Sequence, residues 1–184
     1  PSFVSEFAEA RPGQIIAALK LLGFFGVSET ALGAEQVSAH VGGLLERSSG
    51  EVFISSACPT SVEFLRKYTP KYAEYLTDFL SPLLSHARML KREYGENIGI
   101  VFIGPCISKK LEADMHPSLV NVALTFQDVR RWFAEAEIDL KSMVESADDV
   151  FVPRRSHEGA LYPIEGGMNA SIQGQKHGKL PTHF

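Results

Sequence analysis

The sequence predicts an α/β domain, a mainly parallel twisted sheet flanked by helices. Three observations lead there. Ile98 to Ile103 is almost continuously apolar, as in a strand covered on both faces, and it runs straight into Gly104-Pro105-Cys106. Short apolar runs alternate with segments of helical spacing, a pattern that favours parallel pairing through helical crossovers. Helix-start signals stand between them at Pro12, Ser81-Pro82 and Thr125.

Taken in order, Pro1 to Glu9 reads as extended or irregular. Pro12-Gly13 opens a helix, because proline fits a first turn whose amides have no partner anyway. Ile15, Ile16, Leu19 and Leu22 then share one side, and Gly23 ends it. Phe24 to Val27 reads as a short strand. Ala31 to Leu45 is expected to be helical, with Val37, Val41 and Leu44 or Leu45 facing the core. Ser48-Ser49-Gly50 is a turn, and Val52-Phe53-Ile54 a strand.

Thr60 stands three residues before Glu63, a capping-box spacing, so a helix is expected from there to just before Pro70. A second helix is expected over Ala73 to Leu80. Ser81 can cap the next helix and Pro82 fits its first turn. Leu83, Ala87, Leu90 and Tyr94 recur along it at helical spacing. Val120 to Leu124 is another strand. Thr125 and Asp128 cap the helix that follows, with Val129, Trp132 and Phe133 turned to the core. From Asp148 onward Gly159, Gly166, Gly167, Gly174 and Gly178 make the chain loop-rich, and partial disorder is expected after Asn169. The expected organisation is a domain over 1–147 and a glycine-rich continuation of it over 148–184.

Composition narrows the function. The chain has 184 residues, 45% hydrophobic and 22% charged, with a formal net charge of -4. That weak charge gives no reason to expect nucleic acid as a partner. No apolar run approaches the ~18 residues of a membrane span. Two cysteines are too few for a disulfide scaffold. No charged start followed by an apolar segment marks a signal peptide, so a cytoplasmic, reducing compartment is expected.

The two cysteines hold the candidate chemistry. Cys58 and Cys106 each follow a predicted strand and precede a turn or helix, where α/β proteins collect ligands. Proline follows Cys58 and precedes Cys106. Free amides at a helix start favour a thiolate, and a thiolate is what an iron-sulfur cluster needs as a ligand. The plainer reading makes each a small buried hydrophobe. Spacing alone leaves both open. His86, His116, His157, His177 and His183 are scattered and form no compact zinc spacing with either cysteine.

Ser55-Ser56-Ala57-Cys58-Pro59 resembles the first cysteine motif of the iron-only hydrogenase large subunit, in its C-terminal catalytic-domain family. Gly104-Pro105-Cys106-Ile107-Ser108-Lys109-Lys110-Leu111-Glu112 resembles the second. Pro1-Ser2-Phe3, Leu21-Leu22-Gly23-Phe24, Ser81-Pro82, Leu124-Thr125-Phe126 and Gly166-Gly167 add to the likeness. It covers most of the chain, and the chain covers part of the family's domain, one lobe of it. The resemblance implies that Cys58 and Cys106 are two ligands of a 4Fe-4S cubane. It implies that Lys109 contacts the diiron centre and that Glu112 belongs to a proton route.

Two departures accompany the matches. The family usually has a second cysteine just before the cubane ligand, as a proton carrier. Here that position is Ala57, whose methyl group relays no proton. The family's third motif supplies two more cysteines, and this sequence has none after Cys106. The resemblance therefore implies a non-catalytic relative that holds no complete diiron cluster. The resulting expectation is a 4Fe-4S-binding domain with an electron-transfer or redox- or gas-sensing role in a longer protein. It would sit beside ferredoxin-like or signalling domains and an electron-transfer partner, with the isolated chain empty of cluster. Two rivals stand beside it, a cluster-free structural or regulatory interaction domain and a thiol enzyme using Cys58 as nucleophile.

Overall fold

The computed structural model describes residues 2–175. His177, His183, Gly178 and the end of the 148–184 segment lie outside the described residues. The elements in order are α1 (Phe3–Glu6), α2 (Pro12–Leu21), α3 (Ala31–Arg47), α4 (Pro59–Tyr68) and a 3-10 turn (Pro70–Tyr75). Then come α5 (Pro82–Tyr94), β1 (Val101–Gly104), α6 (Ser108–Met115), β2 (Val122–Thr125) and α7 (Phe126–Glu135). A second 3-10 turn (Glu158–Leu161) and α8 (Gly167–Gln175) close the series.

The sheet-dominated α/β expectation is corrected by this inventory. The described residues are mostly helical, and their one sheet is two strands of four residues each. Its pairing is parallel as expected, with Val101 opposite Val122 and Gly104 opposite Thr125. The other predicted strands form no ladder among the described residues. Phe24 to Val27 receives one backbone bond, from Val152 N–H to Val27 O at 2.9 Å. Val52 to Ile54 makes a single bridge, Ile54 with Leu76. Apolar, β-branched composition favours extended backbone, but a sheet needs a neighbouring edge as well.

Helices with local start signals formed where the sequence placed them. Ser81 Oγ accepts from Leu84 N–H at 3.3 Å at the head of α5. Thr125 and Asp128 make the reciprocal capping box of α7. Arg11 N–H donates to Gln14 Oε1 at 2.9 Å at the head of α2. The Thr60–Glu63 box did not form. Cys58 takes the N-cap position and Pro59 the first turn. The expected helix over Ala73 to Leu80 is replaced by the Pro70–Tyr75 turn, because Leu76 is extended and bridges to Ile54. Phe3–Glu6 is helical where irregular chain was expected. The segment after Asn169 is helical through Gln175, because Ile172 packs with Val37 and Val41 of α3.

One apolar cluster joins α2 to α7 through Phe7, Ile15, Leu19, Phe126, Val129 and Phe133. A second joins α5 to the sheet through Leu83, Ala87, Ile100, Ala113, Val120 and Ala123. Helices α3 and α5 cross at Gly33, where an added Cβ would stand 2.0 Å from the Pro82 carbonyl oxygen. Only hydrogen fits there. Trp132 is 37% exposed and sits edge-on to Phe24 at 5.9 Å, at the margin of the core instead of inside it. Lys20–Asp149 at 2.9 Å and Arg154–Glu35 at 2.7 Å tie the chain after Asp148 back to α2 and α3.

Candidate functional site

Cys58 and Cys106 are both free thiols and both exposed. The reading of each as a small buried hydrophobe therefore does not hold. Each stands just before a helix, Cys58 before α4 and Cys106 two residues before α6. Tertiary structure brings the two starts together. Thr60 Oγ1 and Ser108 Oγ lie 2.6 Å apart across residues 48 positions distant in sequence.

The Cys58 loop is held from below. Ser56 N–H donates to Thr77 Oγ1 at 3.0 Å, and Ser56 Oγ donates to the Phe79 carbonyl at 2.8 Å. Ser55 Oγ reaches Met168 Sδ of α8 at 3.5 Å. Burial pushes the Cys58 thiol up, but the Ser61 hydroxyl and the amides of Ser61 and Thr60 near its sulfur pull it further down. The net direction is downward, as the free amides of a helix start lead one to expect. No side-chain hydrogen bond of full geometry caps α4, so the effect acts through the field of those groups.

The basic and acidic residues of the second motif are spent on each other. Lys109 Nζ lies 2.7 Å from Glu112 Oε2, with the two side chains 13% and 7% exposed. They face the same way, one turn apart, as their spacing suggests, and the pair is largely buried. Lys110 Nζ reaches Asp128 Oδ2 at 2.7 Å and so links α6 to α7. With the Thr125 groups it holds the Asp128 carboxyl well below the usual range. Sequence reasoning singled out Thr60 only as a helix cap and Ser108 only within the second motif, and it missed Ser61 and Thr77. For Ser61 the signal was a hydroxyl close after Cys58, whereas nothing local marked Thr77.

Among the described residues the histidines join no metal-holding group. His86 is buried on α5, 5% exposed, with Nε2 2.8 Å from Ser28 Oγ. Burial brings its pKa down to about 4. The His157 amide donates to Glu35.

These features define a helical domain with a short parallel sheet and two helix-start thiols on adjoining loops. The family described as iron only hydrogenase large subunit, C-terminal domain, matches residues 1–181, and the chain belongs to that family. Iron hydrogenase 1 of Clostridium pasteurianum is 25% identical over 183 residues, covering 89% of this chain and 32% of that protein. A FeFe-hydrogenase from Chlamydomonas reinhardtii superposes with a TM-score of 0.71 at 26% identity, covering 89% of this chain and 46% of that one. A FeFe-hydrogenase structure concerned with oxygen inactivation and degradation of the H cluster 2Fe subcluster matches with the same TM-score, identity and coverage. The chain thus spans about a third of the curated relative and just under half of the solved chains.

The expectation of an iron-sulfur, electron-transferring or redox-sensing domain is corrected for this chain. A 4Fe-4S cubane takes four thiolates as a rule, and the chain has two cysteines. Among the described residues no group of three or more His, Cys, Asp or Glu side chains is placed to hold a metal ion. Glu112 of the second motif is engaged with Lys109, and Asp128 of α7 with Lys110. The residues present do not fit the cluster. Also among the described residues, no helix is long and apolar enough to cross a membrane.

Proposed function

We propose that this chain is a cluster-free structural or regulatory member of the iron-only hydrogenase family, an interaction domain instead of a hydrogen-converting one. The observation that carries the reading is the ligand set. Two cysteines stand where the family's first two motifs stand, Ala57 occupies the relay position, and no third or fourth ligand joins them among the described residues. In this reading Cys58 and Cys106 are vestigial positions on a contact face. Lys109 is a structural cation whose partner is Glu112.

The same proposal takes residues 1–147 as the domain and 148–184 as its continuation. The ion pairs from Lys20 to Asp149 and from Glu35 to Arg154 support that continuity. We place the chain in the cytoplasm, beside ferredoxin-like or signalling domains. Two exposed unpaired thiols favour a reducing compartment, and the relatives' greater length favours neighbouring domains.

Anaerobic reconstitution with iron and sulfide tests the reading. The expected result is a folded protein with far less than one cluster per chain and no cluster EPR signal. About four irons and four sulfides per chain, lost in Cys58→Ala and Cys106→Ala, would overturn it.

A further inference from the structure

We propose that the cavity between α2, α3, α5 and β1 binds a neutral aromatic alcohol of the phenol class, anchored on the Ser28 hydroxyl. This goes beyond the interaction-domain reading and does not depend on it.

The first observation is size and wall chemistry. The cavity measures about 750 Å³. That lies within the ~300–1,000 Å³ usual for small-molecule sites. Aromatic rings recur along its apolar walls, from Phe24, Phe102, Phe126 and Phe151. Rings packed edge to face or offset gain more than their buried area alone provides, so these walls favour a flat ring over an alkyl chain. Phe25 and Tyr94 line it too. Phe25 is 90% exposed, Tyr94 is 38% exposed, and their rings meet at 6.4 Å, so they mark the entrance. A ring seated there would cover apolar surface now left to water.

The second observation is charge, which decides the class of ring. Among the described residues no lysine or arginine lines the cavity, and Glu29 is its single carboxylate. Glu29 already accepts from Ser156 N–H at 2.7 Å and Ser156 Oγ at 3.1 Å, and Arg155 stands 3.9 Å away. An anionic guest would meet Glu29 and find no cation to replace its lost hydration. A cationic guest would find the one carboxylate occupied. The site is built for a neutral molecule.

The third observation is the polar anchor. Ser28 and His86 both line the cavity, with Ser28 Oγ 2.8 Å from His86 Nε2. His86 is buried and uncharged at neutral pH. Its bond is the one side-chain hydrogen bond that Ser28 makes among the described residues. A hydroxyl carries one donor and two acceptor positions. In either histidine tautomer Ser28 Oγ therefore keeps an acceptor position. A guest O–H can donate to it in both cases, whereas a guest carbonyl is served in only one. A ring bearing a hydroxyl meets all three conditions.

The probe is 2-naphthol, with 2-naphthoate and naphthalene as comparisons, titrated at pH 7 into the whole chain by calorimetry and methyl NMR. Saturable binding of one 2-naphthol per chain is expected, with shifts centred on Val27, Leu83 and Leu90. 2-Naphthoate is expected to bind at least about tenfold more weakly, because its charge is desolvated without a partner. Ser28→Ala should weaken 2-naphthol about fivefold, the loss of one hydrogen bond, and leave naphthalene unchanged. Ser28→Thr, which keeps the hydroxyl, should bind like the unaltered chain. Absence of saturable binding, shifts centred away from these three residues, or equal binding of 2-naphthoate overturns the proposal. So does Ser28→Ala that leaves 2-naphthol unaffected or weakens naphthalene as much. The comparison of 2-naphthol with 2-naphthoate uses the unaltered chain, so it decides even where Ser28→Ala fails to fold.

Discussion

Replacing Lys109 by methionine would leave the Glu112 carboxylate largely buried and without its partner, at 7% exposure. A charge stranded in this way costs several kcal/mol, because the lost Coulomb attraction no longer offsets desolvation. Lys109 keeps 13% exposure, so the low end applies, about 3 kcal/mol. For a chain of this size that is a fall in Tm of roughly 6–12 °C. The assay is urea denaturation of Lys109→Met, Glu112→Leu and the double variant. The double variant is expected to recover most of the loss, since an apolar pair of similar volume often replaces a buried ion pair without cost. A loss below about 1 kcal/mol for Lys109→Met, with additive single effects, would place the pair among solvent-screened surface bridges. It would refute the structural role given to Lys109.

Three further outcomes are expected. His86 has its pKa lowered from 6.5 to about 4 by burial, so the unfolded chain takes up its proton at a higher pH than the folded one. Its contribution is full above about 6.5 and is lost as pH falls towards about 4, by about 3 kcal/mol. Denaturation at stepped pH should show that slope, and His86→Gln should flatten it. Gly33→Ala should cost about 3 kcal/mol, since the new Cβ would meet the Pro82 carbonyl oxygen at 2.0 Å. Thermal melts check this, and an unchanged Tm would contradict the close α3–α5 crossing. Iodoacetamide should label Cys58 faster than Cys106 near neutral pH, and Ser61→Ala should slow it, because the Ser61 groups lower the Cys58 thiol. Mass spectrometry of the labelled peptides reads the rates. Equal rates at the two exposed thiols would remove the ground for a reactive Cys58, and with it the thiol-enzyme rival.

How much was legible followed from the range of the interactions. Helices α2, α5 and α7 bond within themselves and start on residues a few positions away. Pro12, Ser81 and Thr125 were therefore enough to place them. The edge of a strand is satisfied by a distant neighbour. Ile98 to Ile103 was recognisable as strand-forming, but nothing local shows that β1 would gain one partner. Nor could it show that Phe24 to Val27 and Val52 to Ile54 would remain unladdered. The sheet was overestimated for that reason.

The site divides along the same line. By itself the sequence determined the two cysteine motifs, Ala57 directly before Cys58 and the lack of any cysteine after Cys106 in residues 1–184, because cysteine number is a matter of composition. It also set Lys109 and Glu112 one turn apart on the same helix. Only the tertiary structure decided that the two motif loops meet at Thr60 and Ser108, that the ion pair is buried, and that β1 borders an apolar cavity. Those depend on residues tens of positions apart arriving at one place. Burial and proximity are properties of the packed chain, and no local spacing encodes them.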